Sequence, residues 1–166
     1  MYYIDYERIK HHKSMLSDRE RTLAFKRAIE KCVNRGDVVV DIGCGTGILS
    51  FFAAKKGAKV YAIERTEIIN LAKKIAKEND LDIKFICADS SEVKLQEKCD
   101  VIVSDCIGYF ALQENMITDV INFKRKYLKG KGKIIPNKIK MFLSLVNSSK
   151  AYEEVNFWKR NYGFNF

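Results

Sequence analysis

Val38-Val39-Val40-Asp41-Ile42-Gly43-Cys44-Gly45-Thr46-Gly47 runs from an apolar strand through an acidic residue into three glycines at alternate positions. Such a turn lets the backbone bend sharply and pass close to a ligand where any Cβ would collide. The apolar residues that follow, Ile48, Leu49, Phe52 and Ala53, have helical spacing. The stretch therefore reads as strand, nucleotide-binding turn and helix. A dinucleotide fold wants its third glycine where Ile48 stands, and a pyrophosphate on the helix N-terminus. Here Gly47 comes one residue early, and Asp41 beside the loop would repel a phosphate. Asp41 instead suits a cationic ammonium, such as that on the methionine part of S-adenosylmethionine. Glu64 ends the next apolar run, Val60-Tyr61-Ala62-Ile63, about twenty residues on, where a carboxylate can accept hydrogen bonds from both ribose hydroxyls. Together these features indicate an adenosine ligand without phosphates; the plain alternative is a structural glycine turn.

The strand opens an alternation that defines the fold. Ser17-Asp18-Arg19-Glu20 has the spacing of a capping box, and Phe25, Ile29, Cys32 and Val33 line one helical face up to Asn34-Arg35-Gly36. Strands are then expected at Val38 to Ile42, Lys59 to Glu64, Ile83 to Cys87, Val101 to Ser104 and Lys133 to Ile135. Helices are expected at Ile48 to Lys56, Glu67 to Glu78 and Glu114 to Leu128. Alternation of this kind predicts an α/β fold: a mostly parallel, doubly wound, Rossmann-like sheet with helices on both faces and a ligand at the carboxyl ends of the strands. The 166 residues fit one domain: a helical cap over 1–36, a core over 37–136, and a strand at Met141 to Val146 with an aromatic tail over 137–166.

Composition narrows the class. A hydrophobic content of 47% is ordinary for a globular protein. The longest uncharged apolar run, Ile48 to Ala54, is far short of the ~20 residues a spanning helix needs, so no membrane partner is expected. Five scattered cysteines, none paired as CxxC, indicate neither a disulfide frame nor a zinc site, and a reducing cytoplasmic location is expected. His11-His12 has no third ligand at metal spacing. The net charge of +9 is densest in Lys124-Arg125-Lys126-Tyr127-Leu128-Lys129-Gly130-Lys131-Gly132-Lys133. That block either complements the end of a helix or forms an RNA-binding patch.

The chain resembles the cofactor-binding half of the protein arginine methyltransferases. The likeness is carried by His12-Lys13-Ser14-Met15-Leu16-Ser17-Asp18 with Arg21-Thr22, the Asp41 to Gly47 loop, Glu64, Ser104-Asp105-Cys106-Ile107-Gly108-Tyr109 with Glu114-Asn115-Met116, and Tyr162-Gly163-Phe164. The resemblance implies a class I methyltransferase using S-adenosyl-L-methionine. It also implies that Arg21 holds the cofactor carboxylate while His12 and Met15 lie against the cofactor. Arg suits that task because its fork is fixed and always charged; read without the resemblance, Arg21 is a helix-surface arginine. Asp41, Gly43, Gly45 and Glu64 complete the expected cofactor site. Asp89, after the third strand, either accepts a hydrogen bond from the adenine amino group or caps a turn.

In the family, two glutamates grip the substrate guanidinium from two sides. The matching residues here are Asp105 and Glu114, so protein arginine is the favoured acceptor, with RNA or a small molecule as the alternative. Asp105 departs from the family by one methylene, and a displacement near 1 Å can cost roughly a hundredfold in rate. Read alone, Asp105 is a strand-end aspartate and Glu114 a helix-start acid. Family members continue into a β-barrel with a histidine-containing loop and a dimerisation arm. These 166 residues contain no counterpart of that barrel, so a non-catalytic subunit or a fragment needing a partner is the reading of another class. Phe157, Trp158, Tyr162, Phe164 and Phe166 crowd into the last ten residues, and this tail is expected to self-associate or dock a partner.

Overall fold

The structure, a computed structural model, describes residues 9–107, 116–159 and 162–164. Two helices precede the sheet, α1 (Ile9–Ser17) and α2 (Arg19–Cys32). The expected capping box shifts by one residue. Ser17 belongs to the last turn of α1, where its hydroxyl donates to the Lys13 carbonyl at 2.8 Å. Asp18 therefore caps α2, accepting from the Arg21 backbone N–H at 3.0 Å.

The core elements follow as β1 (Val38–Ile42), α3 (Ile48–Lys55), β2 (Lys59–Glu64), α4 (Ile69–Glu78), β3 (Ile83–Cys87), β4 (Cys99–Val103), α5 (Met116–Tyr127) and β5 (Leu128–Ile135). The five strands are all parallel in the order β3-β2-β1-β4-β5, so strand order reverses between β1 and β4. All five residues of β1 are buried, as a central strand covered on both faces requires. Val39, Val60, Val101 and Ile135 pack under α2 and α3 with Ile29, Val33 and Ala53. Val38, Val40, Ile63 and Ile102 face Phe123 of α5 and Val93 of the β3–β4 connection.

Several boundaries shift from the sequence expectation by a residue or two, β4 running Cys99–Val103 where the pattern predicts Val101 to Ser104, and two differences are larger. The last strand begins at Leu128 rather than Lys133, because Cys99 pairs with Leu128 and Val101 with Lys133, which bulges Lys129 to Gly132 out of the ladder. Met141 to Val146 is not a strand. Phe142, Leu143, Leu145 and Val146 are exposed and no ladder pairs them among the described residues; alternating apolar residues make a strand only beside another strand. The tail that follows is instead helical, α6 (Ser149–Phe157), capped by the Ser148 hydroxyl, and it buries no residue.

Candidate active site

A cleft of about 710 Å³ opens at the carboxyl ends of β1 to β4 and is lined also by residues of α1 and α2. That is ample for a nucleoside-sized ligand. Its floor is the glycine turn. The N–H groups of Gly43 and Cys44 both donate to the Ile63 carbonyl, at 2.9 and 3.0 Å, which ties the turn to β2. Gly43 has φ +73° and Gly45 φ +52°. A Cβ on Gly43 would collide with Cys106 Sγ, and one on Gly45 would meet His12 Cε1 at 2.9 Å. The turn thus requires glycine twice over, for its backbone and for the side chains packed on it.

Glu64 staples the turn from the side. Its Oε2 accepts from the Gly45 N–H at 3.1 Å, and its Oε1 accepts from the Thr66 N–H and hydroxyl, each at 2.9 Å. A carboxylate offers about four acceptor positions, so one remains for a ligand hydroxyl. Asp41 lies elsewhere than expected: its carboxylate does not line the cleft. It is 1% exposed, with Oδ2 accepting from Ser50 Oγ at 2.7 Å and Oδ1 without a partner among the described residues. Burial raises its pKa to about 7, against the lowering effect of the Ser50 hydrogen bonds and with the charges of Asp105 and Glu64 adding to the rise. Burial also drives the Cys44 thiol far above its usual range.

On the β4 side of the glycine turn the cleft carries Arg21 and Asp105. Arg21 of α2 donates from Nη2 to the Met15 carbonyl at 3.0 Å, and its Nη1 lies 3.4 Å from Asp105 Oδ2. Burial raises the Asp105 pKa, and the Arg21 guanidinium pulls it back. His12, 5% exposed, lies over Gly45, and Met15 lines the cleft beside it.

A methyltransferase domain family model matches residues 33–162. The chain belongs to the methyltransferase domain family. It is 41% identical over 172 aligned residues to a probable protein arginine N-methyltransferase 6.1 of Oryza sativa subsp. indica, covering 99% of this chain and 45% of that protein. Protein arginine N-methyltransferase 1 of Dictyostelium discoideum is 40% identical, with 98% and 50% covered. Among solved structures, Arabidopsis thaliana protein arginine methyltransferase 10 superposes with a TM-score of 0.85 at 37% identity, covering 93% of this chain and 46% of that one. The Trypanosoma brucei PRMT1 enzyme-prozyme heterotetrameric complex with AdoHcy gives 0.80 at 33% identity, covering 97% and 53%. The chain thus spans about half the length of the curated relatives it matches.

Within this methyltransferase domain the structure brings together His12, Met15, Arg21, Gly43, Gly45, Glu64, Asp89 and Asp105 around one cleft. Glu114 lies outside the described residues. Asp89 Oδ1 accepts from the N–H and hydroxyl of Ser91, which lower its pKa, so it caps its turn while still lining the cleft. Among the other lining residues, Thr66 and Asp119 carry polar groups that the sequence does not single out. Thr66 could have been found, since a Thr two residues after a strand-end carboxylate closes a local turn. Asp119 of α5 reaches the cleft, where burial, with the charge of Asp89 adding to it, raises its pKa. Nothing in its local sequence announces that placement. Among the described residues no group of His, Cys, Asp and Glu could hold a metal ion.

Proposed function

We propose that this domain binds S-adenosylmethionine in the cleft and directs its methyl group to an arginine side chain of a protein. The observation that carries the proposal is a pairing across β1: a strand-end carboxylate, Glu64 of β2, on one side of the glycine turn and a guanidinium, Arg21 held against Asp105 after β4, on the other. A ligand with sugar hydroxyls and an amino-acid carboxylate matches both. The glycine turn fits such a ligand, because its cradle is closed to any Cβ and the carboxylate that staples it would repel a pyrophosphate. The trypanosome PRMT1 enzyme-prozyme complex is one with AdoHcy, the demethylated form of the same compound.

When bound, S-adenosylmethionine supplies an electrophilic methyl on a sulfonium. Arg21 binds the carboxylate by charge and fork geometry. Glu64 takes a ribose hydroxyl on its free acceptor position, and a second hydroxyl displaces Thr66. His12 and Met15 shut water out beside Gly45. Asp105, held by Arg21, turns its charge to an incoming guanidinium, and Glu114 is the second carboxylate of the proposal. Both act by orientation and charge neutralisation, with no covalent intermediate on the protein. Titration calorimetry tests the cofactor: S-adenosylhomocysteine should bind and NAD should not, and tighter binding of NAD would sink the reading.

A second reading is favoured by the exposed apolar residues of Met141 to Val146 and by α6, which leaves Tyr152 and Val155 exposed. In this reading the domain works within a larger assembly, and these elements dock a partner polypeptide or a second copy. The five scattered cysteines, none in a disulfide among the described residues, support a reducing compartment such as the cytosol. Among the described residues no helix is long and apolar enough to cross a membrane.

A further inference from the structure

Cations gather at the edge of the sheet opposite the cleft, where strands begin and helices end. Lys31 closes α2 and Lys124, Arg125 and Lys126 close α5. The β5 bulge adds Lys129 and Lys131, with Lys133 at its end. Hydrogen bonds join these elements into one surface: Lys98 Nζ donates to the Lys126 carbonyl at 2.9 Å, Lys129 Nζ to Asp100 at 2.8 Å, and Lys133 Nζ to the Cys32 carbonyl at 3.2 Å. A second, smaller cavity of about 200 Å³ lies among Lys129, Lys131 and Lys133, with Asp37 and Asp100 as its acids. Asp100 is taken by Lys129 and the Val38 N–H, and Asp37 by Asn34. Lys31, Lys124, Arg125, Lys126 and Lys131 are exposed and form no ion pair among the described residues. Two or three such charges would serve the helix ends; five are more than that task uses.

We infer that this edge binds the phosphate backbone of single-stranded nucleic acid, as a tether separate from the cleft. Lysines are point charges on flexible stems, which track a flexible phosphate chain without reading bases. Gly130 is open, with nothing within 4 Å of where its Cβ would stand, so a backbone can approach the bulge closely. A membrane surface would ask for apolar anchors among the cations. None of the exposed large hydrophobic residues falls among residues 124–133.

The test is fluorescence anisotropy of a labelled oligouridine RNA with the full chain. Contact with about five phosphates predicts roughly a hundredfold loss of affinity between 50 and 200 mM salt. The variant K124E/R125E/K126E/K131E should lose most of the RNA binding and keep its affinity for S-adenosylhomocysteine, which also shows that it folds. Arg21→Ala should leave RNA binding intact even if the cofactor reading fails. RNA binding that survives the quadruple variant would overturn the inference. So would equal competition by polyglutamate, which would assign the edge to an acidic protein.

Discussion

Asp41 shows how one carboxyl can be set against itself. Its folded pKa of about 7 stands well above the ~3.9 of an unfolded aspartate, so the folded state holds the proton more tightly. The stability this supplies is full below pH ~4 and is lost as pH rises through about 7, on the order of 4 kcal/mol in total. Asp41→Asn keeps an acceptor for Ser50 and removes the titration. Thermal melts from pH 4.5 to 8 should show the wild type losing ground to the variant as pH rises; parallel curves would show that Asp41 is ionised throughout. Glu64→Ala removes both a ligand acceptor and the staple on Gly45, and should weaken S-adenosylhomocysteine binding by roughly 2 to 3 kcal/mol. Unchanged affinity in calorimetry would take Glu64 out of the site. On the acceptor side, Glu114→Gln should abolish transfer to arginine peptides at near-normal cofactor affinity, while Asp105→Glu should keep or raise it. Full transfer by the Glu114 variant would exclude a two-carboxylate grip on the guanidinium.

At the scale of elements, the glycine turn and α1 hold each other in place. Gly45→Ala adds a methyl 2.9 Å from the His12 ring and forces a non-glycine residue to φ +52°. The expected cost is about 2 to 4 kcal/mol, from overpacking and backbone strain together. Adding His12→Ala should recover the overpacking part and leave the strain, which urea unfolding of both variants can separate. An additive double variant would mean that the ring moves aside freely. These elements also mark what is legible in sequence. The β2 and β3 boundaries match the expectation because apolar runs end at a charge or a turn, and the glycine turn announces the cleft. The start of β5 was not legible, since Lys129 to Gly132 reads as a turn until Leu128 is seen beside Cys99. The Arg21–Asp105 pair was invisible for the same reason: each residue has its own local signal, and only the tertiary crossing makes them partners. Met141 to Val146 has the pattern of a strand but lacks an edge to join among the described residues, and pattern alone does not supply one.

For the whole molecule, the apolar surface of the carboxyl-terminal segment should govern association. Phe142, Leu143, Leu145, Val146, Tyr152 and Trp158 are all exposed, and apolar surface gathered into a patch marks an interaction site. Sedimentation velocity should show the full chain above monomer mass, and a chain ending at Pro136 monomeric; a monomeric full chain would mean that this surface is covered some other way. The order of the strands bears on how the molecule comes into being. The central strand pairs with β2 from Val38 to Ile42 and with β4 from Val39 to Asp41, so one side of its ladder waits for a segment far along the chain. During synthesis the ribosome delivers the glycine turn long before the strand that braces its other side. A nascent chain therefore carries the glycine turn and Glu64 before the rest of the cleft exists, and ligand added to stalled ribosomes should protect only those whose exposed chain extends past Asp105.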